Sequence, residues 1–256
     1  FWNLRLMIKM IVKIHRYLVD RSKEVSLFFK DLERVILKYK LSRSYKEDII
    51  PDSLKKKWVK TYFARYNKAG YLQLRKDFNS NGRSPLQMYI LLIYGFNRML
   101  RFNSKDEFNL PVGNVDLNRN VIVALNNYFK IVSNIDIQFY NEDYSRFLGR
   151  NNFAHNDFLY FDPPYLITFS EYNKYWNVYK ENELYRHLDK LNHKGIRFAL
   201  SNLTHYKGRI NKHLLKWMKN YNSYAITSNY ISYYDNSKKA INEVLITNYD
   251  RSHTSI

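Results

Sequence analysis

The chain has 256 residues and a hydrophobic fraction of 45%, which allows one large globular domain, or one domain carrying a smaller insert. The absence of cysteine excludes disulfides, thiol nucleophiles and Cys-ligated zinc. Its seven histidines show no metal-ligand spacing, so no metal site is expected. A formal net charge of +19 predicts a polyanionic partner and argues against an enzyme of small neutral metabolites, because Lys and Arg bind phosphates.

The first 41 residues predict two amphipathic helices, over 4–18 and 24–39, because apolar side chains recur there at helical spacing. No apolar run reaches the ~20 residues that a membrane span requires. Arg5, Lys9 and Lys13 interrupt the first apolar stretch, which a signal peptide would need unbroken. We therefore expect a cytoplasmic protein with no membrane partner.

Between residues 42 and 85 the sequence is polar and interrupted by turn-forming residues, which indicates the start of an inserted region. Basic side chains alternate there with aromatic ones, an arrangement that can follow a phosphate backbone. The alternative for each lysine taken singly is a solvated helix face. The residues concerned are Lys55, Lys56, Lys57, Trp58, Lys60, Tyr62, Arg65, Tyr66 and Lys68.

The next stretch predicts a helix over 85–100, a hairpin about the turn at 103–106 and an amphipathic helix over 117–132. Residues 135–140 alternate between apolar and polar, as a half-buried strand does. Asp143 follows that strand and precedes a short predicted helix over 144–148. On local grounds it is an N-cap candidate.

Residues 158–161 form an apolar, aromatic run that predicts a strand buried on both faces, and two prolines stop it at Asp162. A carboxylate just past the carboxyl end of a central strand lies where open α/β sheets bind ligands. Asp162 and the Pro163 carbonyl can each accept a hydrogen bond from an exocyclic amine. The Tyr165 ring can stack on a planar base, a contact worth about 1–3 kcal/mol.

After this block, residues 166–179 predict a loop over the site. Tyr172, Tyr175 or Trp176 is a candidate to enclose the ligand bound there. The pattern then predicts a helix over 181–192, a strand over 196–200 and a basic helix over 208–219. Two strands, over 224–233 and 243–248, are expected to pair around 235–239. This order is typical of a doubly wound half-sheet with an antiparallel edge.

Asp162-Pro163-Pro164-Tyr165 at the end of an apolar strand resembles the DPPY signature of amino-methyltransferases that act on adenine N6 in DNA. Further blocks, at 91–114, 194–202 and 242–249, resemble in order and spacing those of Dam-type adenine methyltransferases, especially restriction-modification enzymes that methylate GATC. The resemblance runs from about residue 66 onward. It implies an α/β, Rossmann-like class I S-adenosylmethionine-dependent sheet with a mainly helical target-recognition insert that carries a β-hairpin.

The resemblance also implies a division of the chain, with residues 1–41 and 115–256 forming the catalytic domain and residues 42–114 the target-recognition insert. In this family a Gly-rich strand-to-helix turn that holds the methyl donor precedes these blocks. The seven glycines form no such turn, so the sheet is expected to be N-terminally incomplete. A longer protein, a second chain or a degenerate relative would each account for this.

Roles for individual residues follow from the family pattern. Asp162, Pro163, Pro164 and Tyr165 are the catalytic candidates, and the methyl donor S-adenosylmethionine is expected to contact Asp143, Tyr144 and Asp162. The DNA-contacting candidates are Phe96, Asn97, Met99, Arg101, Asn103 and Pro111. Phe96 and Asn97 match residues that enter the duplex near the target, Met99 and Pro111 match apolar base contacts, and Arg101 matches an arginine that donates to guanine.

The resemblance thus predicts methyl transfer to adenine N6 in a specific double-stranded, GATC-like site, as the modification enzyme of a restriction-modification system. Taken alone, Arg101 serves equally as a phosphate clamp. A catalytically silent DNA-binding fragment or relative is the alternative function. A third alternative is methylation of RNA or of a protein glutamine. It would use the same recognition of a planar amine or amide at the DPPY turn, but it does not account for the recognition block at 91–114.

Overall fold

The computed structural model describes residues 4–46, 50–80, 82–169, 173, 175–226 and 241–250. The chain forms two compact units, Phe1–Asn141 and Glu142–Ile256. In the described ranges the first unit is helical and the second contains the β-sheet, which agrees with the predicted α/β class. None of the helices in these ranges has both the length and the apolarity needed to cross a bilayer.

The first unit is built around one largely buried helix, α5 (Pro85–Tyr94), whose residues Met88, Ile90, Leu91 and Tyr94 are inaccessible to solvent and none of whose residues is fully exposed. Such a helix needs neighbours on every face, and amphipathic helices supply them. They include α1 (Leu4–Arg21), α2 (Val25–Lys38) and α4 (Tyr62–Ser80). Helix α6 (Arg119–Val132) packs against α1, and α3 (Asp52–Trp58) packs against α4.

The predicted helices near the start of the chain and over 117–132 are confirmed, and the helix predicted over 85–100 ends earlier, at Tyr94. Gly95 ends it because its backbone is extended, at φ −80° and ψ 153°. The two compact units are defined by how their residues pack, whereas the predicted catalytic and recognition regions are defined by function. That division stays a prediction.

Helix α4 corrects the expectation of an interrupted, polar segment between residues 42 and 85. Asn67, Tyr71, Leu74 and Phe78 are fully buried on it and follow one another at steps of four, three and four residues. This is the period of one helix face. The polar side chains between them lie on the opposite face of the helix. Because they make the segment polar on average, its composition does not indicate the buried face.

The strand predicted over 135–140 is also wrong, since no regular strand forms there in the described structure. This segment packs against α1. The Arg16 guanidinium donates to the Phe139 carbonyl, with Nε at 3.0 Å, and the His15 ring stacks on that of Phe139 at 5.0 Å. A side chain therefore satisfies a carbonyl that a neighbouring strand would otherwise bind.

The second unit has a mixed, open sheet in the order β1-β2-β5-β4. Strand β1 runs parallel to β2, whereas β2 with β5 and β5 with β4 are antiparallel pairs. The strands are β1 (Phe158–Phe161), β2 (Arg197–Tyr206), β3 (Arg209–Ile210), β4 (Asn222–Ile226) and β5 (Ile241–Thr247), and the helices are α7 (Tyr144–Arg150), α8 (Val178–His193) and α9 (Lys212–Trp217).

Aromatic and aliphatic side chains from α8, α9 and β2 form the core of this unit. The rings of Tyr185 and Trp217 stack at 4.4 Å, and Phe198 on β2 lies beside them. The predicted pairing of the last two strands is confirmed for β4 and β5. The tip predicted at 235–239 lies outside the described residues.

Two details of the predicted sheet are corrected. Strand β2 extends to Tyr206 and turns at Lys207 and Gly208 into β3, so the helix expected from residue 208 begins later, at Lys212. Strand β1 is not buried on both faces, since Phe158 and Tyr160 are 52% and 58% exposed. Among the described strands it pairs with β2 alone, at the edge of the sheet.

Candidate active site

The parallel register of β1 and β2 fixes the position of the Asp162 carboxylate. Phe161, the last residue of β1, pairs with Leu200, so Asp162 and Ser201 follow at the same level of the two strands. Pro163 and Pro164 then turn the chain away, because neither has an N–H with which to extend the ladder. Asp162 is exposed, as expected for a ligand-binding carboxylate.

Both hydroxyl groups that reach Asp162 bind the same carboxylate oxygen. Ser201 Oγ lies 3.0 Å and Tyr165 Oη 3.1 Å from Asp162 Oδ1. Within the described chain no donor reaches Oδ2 or the carbonyl of Pro163. Two acceptors at one exposed turn therefore remain available to a ligand with two N–H groups.

Tyr165 stands at the centre of a polar cluster. Besides Asp162, its hydroxyl lies 3.2 Å from Glu243 Oε1 and 3.4 Å from Ser201 Oγ. Burial is the main cause that raises the pKa of Tyr165, and the charges of Asp162 and Glu243 add to the effect. The phenol therefore stays protonated and acts as a neutral donor.

The loop after Tyr165 is fixed by one amide and one buried carboxylate. Asn173 Nδ2 lies 2.8 Å from the Tyr165 carbonyl and 2.9 Å from that of Thr168. Trp176 Nε1 donates to Glu181 Oε2 at 2.9 Å, so this candidate to enclose the ligand is tethered to α8. Tyr175 is exposed, and Tyr172 lies outside the described residues.

Glu181 is fully buried, and four donors converge on it. Tyr185 Oη and Asn211 Nδ2 bind its Oε1 at 2.5 and 2.7 Å, Asn202 Nδ2 reaches the same oxygen at 3.5 Å, and Trp176 binds Oε2. Hydrogen bonds of this number can hold a carboxylate without a cation. Glu181 therefore links the loop, β2 and the start of α9.

Asp143 caps helix α7, which is the local role considered for it. Its Oδ1 accepts from Ser145 N at 2.9 Å and Ser145 Oγ at 2.6 Å, and these bonds hold the pKa of Asp143 below its usual range. Its Oδ2 is 4.0 Å from Lys180 Nζ. Tyr144 donates toward Glu183 Oε2 at 3.1 Å. Contact of either residue with a methyl donor stays a prediction.

In the first unit, Arg101 belongs to a hairpin whose bridge joins Phe102 and Phe108. Its Nε donates to Asn109 Oδ1 at 2.9 Å and its Nη2 to the Asn109 carbonyl at 2.6 Å. These bonds orient the guanidinium, and its remaining N–H groups bind no acceptor in the described ranges, which leaves them for a partner. The predicted turn after Arg101 forms, with Asp106 N donating to Asn103 O at 3.0 Å.

The other DNA-contacting candidates occupy neighbouring loops of the same unit. Phe96 N donates to the Pro111 carbonyl at 2.9 Å, and both residues are exposed together with Asn97. Asn97 adopts φ +50°, a left-handed conformation that asparagine tolerates. Met99 is half-buried beside the core. The Asn103 amide is occupied by the turn, since its Nδ2 donates to Glu107 Oε2 at 2.8 Å.

Sequence reasoning gave no role to Ser201, Glu243 or Asn109, which contact the candidate residues directly. All three lie within blocks that carry the family resemblance, and this is the one signal available for them. Asn109 lies within the hairpin block at 91–114. Their partners are distant in the chain or across a turn, so spacing alone does not reveal them.

Comparisons with known proteins place this geometry in a family. A model described as D12 class N6 adenine-specific DNA methyltransferase matches residues 32–231. The chain is 38% identical over 198 residues to modification methylase StsI of Streptococcus sanguinis and 35% identical over 199 residues to type II methyltransferase M.FokI of Planomicrobium okeanokoites. It is 29% identical over 191 residues to modification methylase LlaI of Lactococcus lactis subsp. lactis.

The first two matches each cover 73% of this chain and 30% of the relative, and the third covers 72% and 29%. The chain therefore spans about 30% of the length of the curated relatives it matches. The family match extends over both compact units and includes the DPPY turn and the hairpin block. The chain belongs to the D12 class N6 adenine-specific DNA methyltransferase family.

Proposed function

We propose that this chain forms the base-binding and target-reading part of a site-specific DNA adenine-N6 methyltransferase. The observation that carries the proposal is the exposed turn after β1, where no donor among the described residues binds Asp162 Oδ2 or the Pro163 carbonyl, so that both can accept from an amine. A flipped adenine presents two N–H groups at N6. Recognition by two acceptors therefore fits an exocyclic amine.

Adenine N6 is a poor nucleophile, because its lone pair is delocalised into the ring, and the duplex hides it. Extruding the base costs a few kcal/mol, which stacking on the Tyr165 ring partly offsets. Hydrogen bonds from both amine hydrogens to Asp162 and the Pro163 carbonyl favour a pyramidal nitrogen. Its lone pair is then localised on N6 and no longer delocalised into the ring. The negative carboxylate also stabilises the positive charge that develops on N6.

S-adenosylmethionine supplies the methyl group when it is bound. Asp143 Oδ2, which lies outside the helix cap, is an acceptor of the kind that fits the polar groups of a nucleoside, and Tyr144 offers a ring beside it. Asp162 is expected to face the donor as well. The residues of this chain orient the amine for in-line transfer, and the rate depends on that alignment.

Sequence-specific duplex DNA is the proposed partner of the first unit. Arg101 is proposed to read a guanine, Phe96 and Asn97 to enter the duplex near the target, and Met99 and Pro111 to contact bases. The net charge of +19 supports a phosphate-rich partner. The names of the relatives support a modification role in restriction-modification, and a GATC-like site is the first target to test.

The proposed division assigns residues 42–114 to target recognition and 1–41 with 115–256 to catalysis. A Gly-rich turn for the methyl donor would come from a further segment or a second chain, because the seven glycines here lie apart. That same feature favours a second candidate function, a DNA-binding module without turnover. Calorimetry of this chain with S-adenosylmethionine bears on the choice, because a heat of binding would argue against the silent module, whereas no heat is expected of a silent module and of a fragment of the enzyme alike.

The test uses the protein encoded by the complete reading frame that contains this chain, with duplex DNA and labelled S-adenosylmethionine. Asp162→Ala is expected to lower the transfer rate by about a hundredfold to a thousandfold, because it removes the carboxylate that faces the developing charge. DNA affinity at fixed salt should stay within about twofold, since phosphate contacts supply most of it. Asp162→Asn, which keeps the shape but not the charge, should fall between.

Transfer that is unchanged in Asp162→Ala would refute the role of this turn. Absence of transfer by the wild-type protein on any duplex would refute the proposed activity and favour the silent module. Sequencing of methylated adenines in randomised duplex DNA would identify the site. A GATC-like target requires that modified adenines share that context.

A further inference from the structure

One phenolic proton in the site lies between two carboxylates. Tyr165 Oη is 3.1 Å from Asp162 Oδ1 and 3.2 Å from Glu243 Oε1, and a phenol donates one hydrogen bond. Because the pKa of this phenol is raised, the proton remains on Tyr165 at neutral pH. The two carboxylates therefore compete for the same donor.

The neighbouring hydroxyl has fewer alternatives. Tyr160 Oη donates to Ser201 Oγ at 3.1 Å, and Ser201 Oγ lies 3.0 Å from Asp162 Oδ1. A carboxylate accepts, and the other acceptor near Ser201 Oγ, the Phe161 carbonyl, is farther away at 3.4 Å, so the Ser201 proton is directed to Asp162. Asp162 thus has one committed donor in Ser201 and one contested donor in Tyr165.

The partner carboxylate, Glu243, stands on β5 and is almost fully buried. Tyr165 Oη is the one hydrogen-bond partner of its side chain among the described residues. A buried carboxylate is costly unless a donor satisfies it. Tyr165 is therefore the donor that can satisfy Glu243, whereas Asp162 also accepts from Ser201.

We propose that Glu243 is a positioning residue for methyl transfer, which holds the Tyr165 hydroxyl away from Asp162 Oδ1 and so keeps more of the negative charge of this carboxylate for the substrate amine that Oδ2 accepts. The proposal rests on the adenine-N6 activity proposed above and assigns a role to a residue outside the DPPY turn. Ser201 fixes the rotamer of Asp162 in the same arrangement. Neither residue needs to touch the base.

The test is a double-mutant cycle in the full-length protein, assayed on duplex DNA. Glu243→Gln keeps the shape but weakens the acceptor, so the Tyr165 proton shifts to Asp162 and kcat should fall about tenfold, with the KM for DNA within twofold. Tyr165→Phe removes the contested proton and keeps the ring. In that background Glu243→Gln should cause no further loss, because non-additivity reports a shared interaction.

A second measurement separates positioning from stacking. Binding of a duplex with 2-aminopurine at the target position reports base extrusion by fluorescence, and this base has no amine at its 6-position. Glu243→Gln should leave that signal unchanged. Glu24→Gln is the charge-matched control, since Glu24 is exposed just before α2 and pairs on the surface with Arg21. The kcat of this control should match wild type.

An unchanged kcat in Glu243→Gln, or an equal further loss in the Tyr165→Phe background, would overturn the positioning role. If Glu243→Gln does not fold, Ser201→Ala still tests the cluster, because it removes the committed donor of Asp162 and should lower kcat with little change in the KM for DNA. An unchanged kcat in that variant would then overturn the proposal. An inactive wild-type protein would instead refute the proposed activity.

Discussion

The two compact units hold their functional groups in different ways. In the first, the loops that carry Phe96, Asn97 and Pro111 are fixed by backbone contacts, as where Phe96 N binds the Pro111 carbonyl. In the second, Asp162 and its partners stand at strand ends, and polar side chains fix them. A change in backbone space should therefore damage the first unit, whereas a change of polar partner should damage the second.

The strongest test of this contrast is Glu181, on which four donors converge in the second unit. Glu181→Ala leaves buried donors unpaired and creates a cavity, so it should lower the free energy of unfolding by about 3 kcal/mol or more. Glu181→Gln keeps the volume but turns one acceptor into a donor, and it should cost about 1–3 kcal/mol. Urea denaturation followed by tryptophan fluorescence measures both.

Glu24→Gln makes the same chemical change at an exposed position and serves as the control. The ion pair of Glu24 with Arg21, at 3.7 Å between Oε2 and Nη1, lies on the surface, so its loss should change stability by less than about 0.5 kcal/mol. If Glu181→Gln were as stable as wild type, packing alone would hold the second unit. The loop would then not depend on the bond from Trp176, and the contrast between the two units would fail.

The corresponding test of the first unit is Gly113. A Cβ built there lies 2.6 Å from the Gly95 carbonyl oxygen and 2.8 Å from its carbon, and a backbone atom cannot move aside cheaply. Gly113→Ala should therefore destabilise the first unit by about 1–3 kcal/mol and weaken selective DNA binding through the loop that carries Phe96 and Asn97. Denaturation and binding to specific duplexes measure the two effects.

Gly149→Ala is the matched control, because a Cβ at that exposed position of α7 meets nothing within 4 Å. Alanine is the better helix former, so this variant should be unchanged or more stable by up to about 1 kcal/mol. Equal stability of the Gly113 and Gly149 variants would show that the two loops can separate at no cost.

The features that local sequence determines were predictable. Apolar periodicity gave α1, α2 and α6, and the two prolines stopped β1 at Asp162. The exposure of β1 was not predictable. An apolar run indicates that a strand favours burial, but it does not show that another element covers that strand. The stripe of α4 was available in principle at Tyr71, Leu74 and Phe78, but polar neighbours obscured it.

The supporting polar pairs could not be predicted. Ser201 lies 39 residues from Asp162, and Glu243 lies 78 residues from Tyr165. The register of β2 and β5 brings them together, and this register cannot be deduced from the local patterns of a single sequence. The family resemblance identified the blocks that contain them but not which side chain faces which.

The smallest expected effect concerns Asn109, which orients Arg101 within the hairpin. Asn109→Ala removes the side-chain acceptor but keeps the backbone carbonyl. The Arg101 guanidinium therefore loses one of these two hydrogen bonds and keeps the other. If Arg101 reads a guanine, discrimination between a cognate duplex and one changed at that base pair should fall by about 1 kcal/mol, or about fivefold. Arg101→Lys, which loses bidentate geometry, should cost about 1–3 kcal/mol of discrimination.

Lys105 at the exposed tip of the same hairpin provides the comparison. If it contacts a phosphate, Lys105→Ala should weaken binding to every duplex equally and reduce the salt dependence, with discrimination kept. Competition binding at two salt concentrations separates the cases. If Asn109→Ala behaves like Lys105→Ala, Arg101 is a phosphate clamp, and the loops of the first unit position the duplex without reading this base.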